Sequence, residues 1–157
     1  MSCMAAWTAP ARVVGIIGDP IAHSLSPHMH NAAFDALGLA WRYVALRVVP
    51  ARLEEAVRGI RALGFVGVNV TIPHKETILT WLDRVDDTAR GIGAVNAVRL
   101  EDEALVGYNT DAPGLLDALT RDGGIVLPAA RCLILGAGGA GRSAAFALAG
   151  AGVRSVV

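Results

Sequence analysis

Apolar positions in this chain come in short bursts, each closed by glycine or proline. Val13–Gly18 is a β-branched run that stops at Gly18-Asp19-Pro20, the pattern of a buried strand feeding a loop. Ser26-Pro27 then reads as an N-cap followed by a first-turn proline, opening a helix that ends at Gly38. Trp41–Val49 has strand composition. Pro50 opens the next helix, which sets Leu53, Val57, Ile60 and Leu63 on one face and stops at Gly64. Val66–Val70 is a short strand, followed by Thr71-Ile72-Pro73 and a helix to about Leu82. Asp86 or Asp87 caps a further short turn, and Ala94–Leu100 and Leu105–Tyr108 flank Glu101-Asp102-Glu103-Ala104 as a hairpin. Strands alternating with helices in this way predict an α/β fold with a mostly parallel, twisted sheet.

Near Arg131 the pattern starts again. Arg131–Leu135 is an apolar strand, Gly136-Ala137-Gly138-Gly139-Ala140-Gly141 follows at once, an alanine-rich helix runs from about Gly139 to Ala151, and Val153–Val157 begins a second strand. The expected organisation is a flexible extension over 1–11, an α/β domain over 12–110, a connection over 111–130 with a helix at Pro113–Leu119, and the opening βαβ of an incomplete Rossmann unit over 131–157.

Composition narrows the function classes. Of 157 residues, 54% are hydrophobic and 18% charged, which excludes an intrinsically disordered chain. Fourteen basic residues balance fourteen acidic ones, the wrong charge for a nucleic-acid or anionic-membrane binder. The two cysteines, Cys3 in a loose N-terminus and Cys132 in the apolar run, make neither a disulfide framework nor a metal site and suit a reducing cytoplasm. No segment reaches the roughly 18 uninterrupted apolar residues of a spanning helix, and residues 1–11 lack a signal-peptide pattern. A soluble, cytoplasmic protein is expected.

The glycine loop has specific chemistry. Gly136, Gly138 and Gly141 fit G-x-G-x-x-G between a strand and a helix: the first permits the tight turn, the second lets backbone approach a pyrophosphate, and the third lets helix pack on strand. The helix N-terminus adds free N–H groups and positive potential. A dinucleotide is the expected ligand, against the alternative of an Ala/Gly-rich helix start. The position that separates NAD from NADP falls at Val156–Val157 or beyond.

Thirteen of the fourteen basic residues are arginine; the single lysine, Lys75, stands in Asn69-Val70-Thr71-Ile72-Pro73-His74-Lys75 at a strand end. Strand ends are where α/β proteins place ligand contacts. Lysine offers a compact ammonium that can give up its proton, which arginine does not; the alternative is a chance surface lysine. Asp111, in Tyr108-Asn109-Thr110-Asp111, is a candidate carboxylate partner or else an Asx-turn or N-cap residue. Ser24 and Ser26 either offer hydroxyls to a substrate carboxylate or cap the helix.

Taken in order, Gly18-Asp19-Pro20-Ile21-Ala22-His23-Ser24-Leu25-Ser26-Pro27, the Asn69–Lys75 segment, Gly93-Ala94-Val95-Asn96, Asn109-Thr110-Asp111 and the glycine loop resemble the shikimate dehydrogenase family. The resemblance covers the chain from about Val13 onward. It implies a shikimate-binding domain over 12–110, an NADP-binding Rossmann domain beginning at 131, and reversible NADPH-dependent reduction of 3-dehydroshikimate to shikimate on the route to chorismate and aromatic amino acids. By position, Ser24 and Ser26 would bind the substrate carboxylate, Thr71, Asn96 and Asp111 its ring hydroxyls, and Lys75 with Asp111 would form the catalytic pair. Gly136, Ala137, Gly138, Gly139, Ala140 and Gly141 would hold the cofactor phosphates. Quinate or aminoshikimate dehydrogenases, or a non-catalytic shikimate-binding module, are the alternatives, and a homodimer is compatible with the family. Ala112 stands where a glycine often follows the Asn-Thr-Asp motif. The remaining Rossmann strands, a substrate-touching glutamine and the returning helices of the family have no counterpart in these residues, so the 157-residue chain alone is expected to be inactive.

Overall fold

A computed structural model describes residues 11–157, so the expectations for residues 1–10 and for Cys3 lie outside the described residues. In chain order the elements are β1 (Arg12–Gly18), α1 (Ser26–Ala36), β2 (Trp41–Arg47), α2 (Leu53–Ala62), β3 (Gly67–Val70), β4 (Arg84–Val85), α3 (Asp87–Ile92), β5 (Ala97–Glu101), β6 (Ala104–Tyr108), α4 (Asp111–Asp117), β7 (Arg131–Cys132), α5 (Gly139–Gly150) and β8 (Ser155–Val156). The first six strands form one sheet in the order β2-β1-β3-β5-β6-β4. β1 pairs in parallel with β2 and with β3, and β4 with β6, whereas the hairpin strand β5 runs antiparallel to both of its neighbours. The sheet is therefore α/β and mostly parallel, with an antiparallel hairpin inserted. That hairpin turns at Asp102 and Glu103, both at positive φ (46° and 67°), the two-residue turn whose twist matches the strands it joins.

β1 lies between β2 and β3, so the β1-to-β2 and β2-to-β3 crossovers run in opposite directions across the sheet. Right-handed connections then put α1 and α2 on opposite faces of the sheet. The packing agrees. Ile17, Val68 and Val70 share a core with Leu53, Val57 and Ile60 of α2, while neighbouring Ile16 joins Tyr43 and Ile21 on the other face, backed by Phe34 of α1. The reversal around β1 leaves a crevice at the carboxyl ends of β1 and β3, the usual ligand position in such sheets.

Several sequence expectations shift in detail. Leu63 is 77% exposed, because α2 ends at Ala62 and Leu63 lies past the buried stripe. The helix expected up to Leu82 is a single 3-10 stretch, Thr77–Trp81. There the Thr77 and Thr80 hydroxyls donate to the His74 and Thr77 carbonyls, local bonds that compete with a longer α-helix. The strand expected over Arg131–Leu135 pairs with β8 at Arg131 and Cys132, and Cys132 is half-buried rather than buried. Ile134 still donates to Val157 and faces α5, but Leu133 and Leu135 point to the uncovered side and are exposed. α5 is not separate from the first sheet's helices: Ala147 packs into a small cluster with Ile92, Ala94 and Ala112.

Candidate active site

Three loops meet at the carboxyl ends of β1 and β3. The Asp19 N–H donates to the Ile72 carbonyl at 2.9 Å, joining the loop after β1 to the one after β3. A Cβ on Gly18 would stand 2.5 Å from Thr71 Cγ2, so only glycine lets Thr71 sit there. Beneath, the fully buried ring of His74 places Nε2 2.6 Å from the Val48 carbonyl, which anchors the residue next to Lys75.

Lys75 and Asp111 come together: Lys75 Nζ donates to Asp111 Oδ2 at 2.6 Å, with the two side chains 16% and 32% exposed. Asn96 fixes the carboxylate from behind. Its Nδ2 donates to Asp111 Oδ1 and Thr110 Oγ1, both at 2.8 Å, and its Oδ1 accepts the Thr110 N–H at 2.8 Å. Both amide hydrogens of Asn96 are thus engaged, and what it can offer a ring hydroxyl is the remaining lone pair of Oδ1.

Of the alternatives for Asp111, the carboxylate takes the place beside Lys75 and makes neither an Asx turn nor a helix cap. Asn109 is the Asx residue: its Oδ1 accepts the N–H groups of Asp111 and Ala112, each at 3.1 Å. The Asp111 carboxylate is left to Lys75 and Asn96. A similar division holds for the serines. Ser24 Oγ accepts the Ser26 N–H at 3.3 Å, and α1 has no side-chain cap from Ser26.

Burial raises the Tyr43 phenol above its usual range, and the Ser26 hydroxyl opposes that shift. The Tyr43 hydroxyl donates to Asn69 Oδ1 at 2.7 Å, and Asn69 Nδ2 approaches the Asn96 carbonyl at 3.4 Å. Tyr43 and Asn69 thus lead to the Asn96 main chain, and the Asn96 side chain holds Asp111, the partner of Lys75. Thr71 is half-buried, and its hydroxyl makes no hydrogen bond among the described residues. Tyr43 belongs to no motif, and on β2, which also carries Arg42 and Arg47, nothing in the sequence marks its phenol as part of the site.

The glycine loop closes the opposite side. Gly136 has φ +111°, and a Cβ on Gly141 would stand 2.1 Å from the Gly136 carbonyl oxygen, so neither position accepts a side chain. A Cβ on Gly138 would meet nothing within 4 Å, which leaves open space against that backbone. Gly139 backs onto the lysine: its Cβ would lie 3.0 Å from Lys75 Cβ and 3.1 Å from Lys75 Cδ. Between loop and ion pair is a cleft of ≈ 450 Å³ lined by Lys75, Thr110, Asp111, Gly114, Leu115 and Ala140 among others.

Residues 16–98 match the model of the shikimate dehydrogenase substrate binding domain. The chain belongs to the shikimate dehydrogenase family. It is 53% identical over 151 residues to the shikimate dehydrogenase (NADP(+)) of Geobacter sulfurreducens, covering 96% of this chain and 53% of that one. A crystal structure of a shikimate dehydrogenase in complex with NADP+ superposes with a TM-score of 0.84 at 50% identity, over 88% of this chain and 48% of its own. The Thermus thermophilus enzyme in complex with shikimate gives 0.85 at 45% identity, over 92% and 55%. The chain thus spans about half the length of the relatives it matches. Among the described residues no helix is long and apolar enough to cross a membrane, and no group of side chains could hold a metal ion.

Proposed function

We propose that this chain supplies the shikimate-binding domain, over 12–110, a connection over 111–130, and over 131–157 the first cofactor-binding unit of an NADP-dependent shikimate dehydrogenase. The reaction is the reversible reduction of 3-dehydroshikimate to shikimate. The observation that carries this reading is the Lys75–Asp111 pair, 2.6 Å apart and set against Gly139 of the glycine loop.

The residues of the loop fit a dinucleotide. Gly136 through Gly141 provide the tight turn, the open backbone face at Gly138 and a helix N-terminus at Gly139, and these would hold the pyrophosphate. When bound, NADPH supplies the hydride that the side chains lack. The relatives named for NADP make it the expected cofactor.

The chain's own residues handle charge and protons. As the ketone carbon is reduced, its oxygen gains negative charge, and the Lys75 ammonium stabilises it and delivers the proton. Asp111 holds that ammonium in place and can accept from a neighbouring substrate hydroxyl. In the oxidative direction Lys75 takes the hydroxyl proton back. Asn96 keeps the Asp111 carboxylate from turning away. Ser24 and Ser26 hold the substrate carboxylate, and Thr71 offers an unengaged hydroxyl to the ring. The test is the rate of NADP+ reduction with shikimate and with quinate in the full-length protein.

A further inference from the structure

Helix α5 meets the catalytic side of the sheet mostly through glycine and alanine. Gly139 lies against the Lys75 stem, and Ala147 against Ile92 and Ala112. Such surfaces fill space, but they carry no direction and tolerate sliding. Two polar links cross the same seam. Arg142 pairs with Glu76 at 3.0 Å, but the side chains are 49% and 40% exposed, so water screens the pair and it constrains little.

The second link is buried. Asn109 is 5% exposed and Ser143 1%. Asn109 Nδ2 donates to Ser143 Oγ and to the Ala94 carbonyl, both at 2.9 Å, while Ser143 Oγ donates to the Gly139 carbonyl at 2.8 Å. On its other edge the same Asn109 side chain accepts the Asp111 N–H. A closed ring follows: Lys75 to Asp111, Asp111 to Asn109, Asn109 to Ser143, Ser143 to Gly139, and Gly139 back against Lys75. Each polar bond in it is directional, and breaking one at Ser143 leaves a buried donor short of a partner.

The geometry points to Asn109 and Ser143 as positioning residues that couple the cofactor loop to the Lys75–Asp111 pair. Ordering of the glycine loop by a dinucleotide sets the Gly139 carbonyl; Ser143 and Asn109 carry that setting to the Asp111 turn. Substrate and cofactor binding are then reciprocally linked through this ring. The inference rests on the function proposed above; Ser143 lies in the wall of the cleft beside Ala140 but is only 1% exposed, so its part is to position the loop rather than to bind a ligand.

The test is the dissociation constant of shikimate in the full-length protein, measured by calorimetry with and without NADPH, a pair that cannot react together. In the wild type, NADPH tightens shikimate binding about fivefold or more, at the lower end of ordinary coupling. In Ser143→Ala that enhancement falls to within about twofold of none, while shikimate alone and NADPH alone bind within about threefold of wild type, which a merely structural defect would not preserve. Ser143→Thr, whose hydroxyl can still bond the carbonyl one turn back, recovers the enhancement. Should Ser143→Ala lose its fold, Ser143→Cys keeps the volume with a much weaker hydrogen bond and takes its place. An undiminished enhancement in the alanine or cysteine variant, or no enhancement in the wild type, overturns the coupling. Absence of shikimate binding in the wild type overturns the proposed function itself.

Discussion

Lys75 Nζ and Asp111 Oδ2 lie 2.6 Å apart although 36 residues separate them in the chain. The ammonium comes from the loop after β3 and the carboxylate from the first residue of α4, so the sheet's topology is what creates the pair. Replacing Lys75 with alanine is expected to lower kcat by about 10²–10⁴ with a much smaller change in KM for shikimate, as for an interaction made in the transition state. Lys75→Arg keeps the charge beside Asp111 but is a poor proton donor, and it is expected to lie nearer to alanine than to wild type. Steady-state kinetics of both variants in the full-length protein checks this; near-wild-type kcat in either removes the lysine from the proton step.

Gly139 offers a cleaner separation of loop from lysine. A methyl group there is 3.0 Å from Lys75 Cβ, tight enough that the lysine stem must give. Gly139→Ala is therefore expected to lower kcat about tenfold, the equivalent of ~1.4 kcal/mol in the barrier. The Kd of NADP+ is expected to change less than kcat, because the open face of the loop is at Gly138. Kinetics alongside cofactor titration distinguishes this from a plain loss of phosphate binding.

Gly18 supports the loops after β1 and β3 in the same way. A Cβ there would stand 2.5 Å from Thr71 Cγ2 and 3.0 Å from the Ile72 carbonyl oxygen. Gly18→Ala must push the β1 and β3 loops apart, at an expected cost of about 1–3 kcal/mol. Thermal unfolding should show a drop in Tm of several degrees, and an unchanged Tm would mean that the two loops are not packed as described.

Acid stability has an identifiable contributor outside the site. The Asp83 carboxylate is held below its usual range, chiefly by the Leu105 N–H at 2.7 Å and further by Arg61, which together outweigh a smaller desolvation effect. A carboxylate whose folded-state pKa is depressed contributes stability that is fully present above its unfolded value and is lost as pH falls through the folded one. Asp83→Asn should therefore flatten the fall of Tm with pH below about pH 4, the unfolded carboxylate range, and lower Tm at neutral pH. Unfolding scans across that range, on variant and wild type, check the sign.

The sequence carried the elements and the motif residues further than the connections between them. Alternating apolar runs with glycine and proline stops located β1, α1, β2, α2 and the hairpin to within a few residues, because burial on a sheet face and chain reversal are local requirements. Lys75 stood out by composition alone. Tyr43 and Asn69, 26 residues apart, and Asn109 and Ser143, 34 apart, did not, because a hydrogen bond across that separation depends on strand order and helix placement that periodicity does not encode. The same limit explains Asp111: a polar turn residue followed by a helix reads as a cap, and only the geometry shows that Asn109 caps the turn and leaves Asp111 to Lys75. The Thr77–Trp81 segment was expected as a regular helix because its apolar residues were visible and the competing threonine hydroxyl bonds were not.

The most direct measurement is NADPH formation by the full-length protein with shikimate or quinate as the sole substrate. Shikimate-dependent NADP+ reduction is expected, with kcat/KM for shikimate at least about tenfold above that for quinate, a discrimination well within what a few pocket hydrogen bonds provide. No turnover of shikimate would contradict the assignment of the Lys75–Asp111 site, and a preference for quinate would contradict shikimate as its substrate.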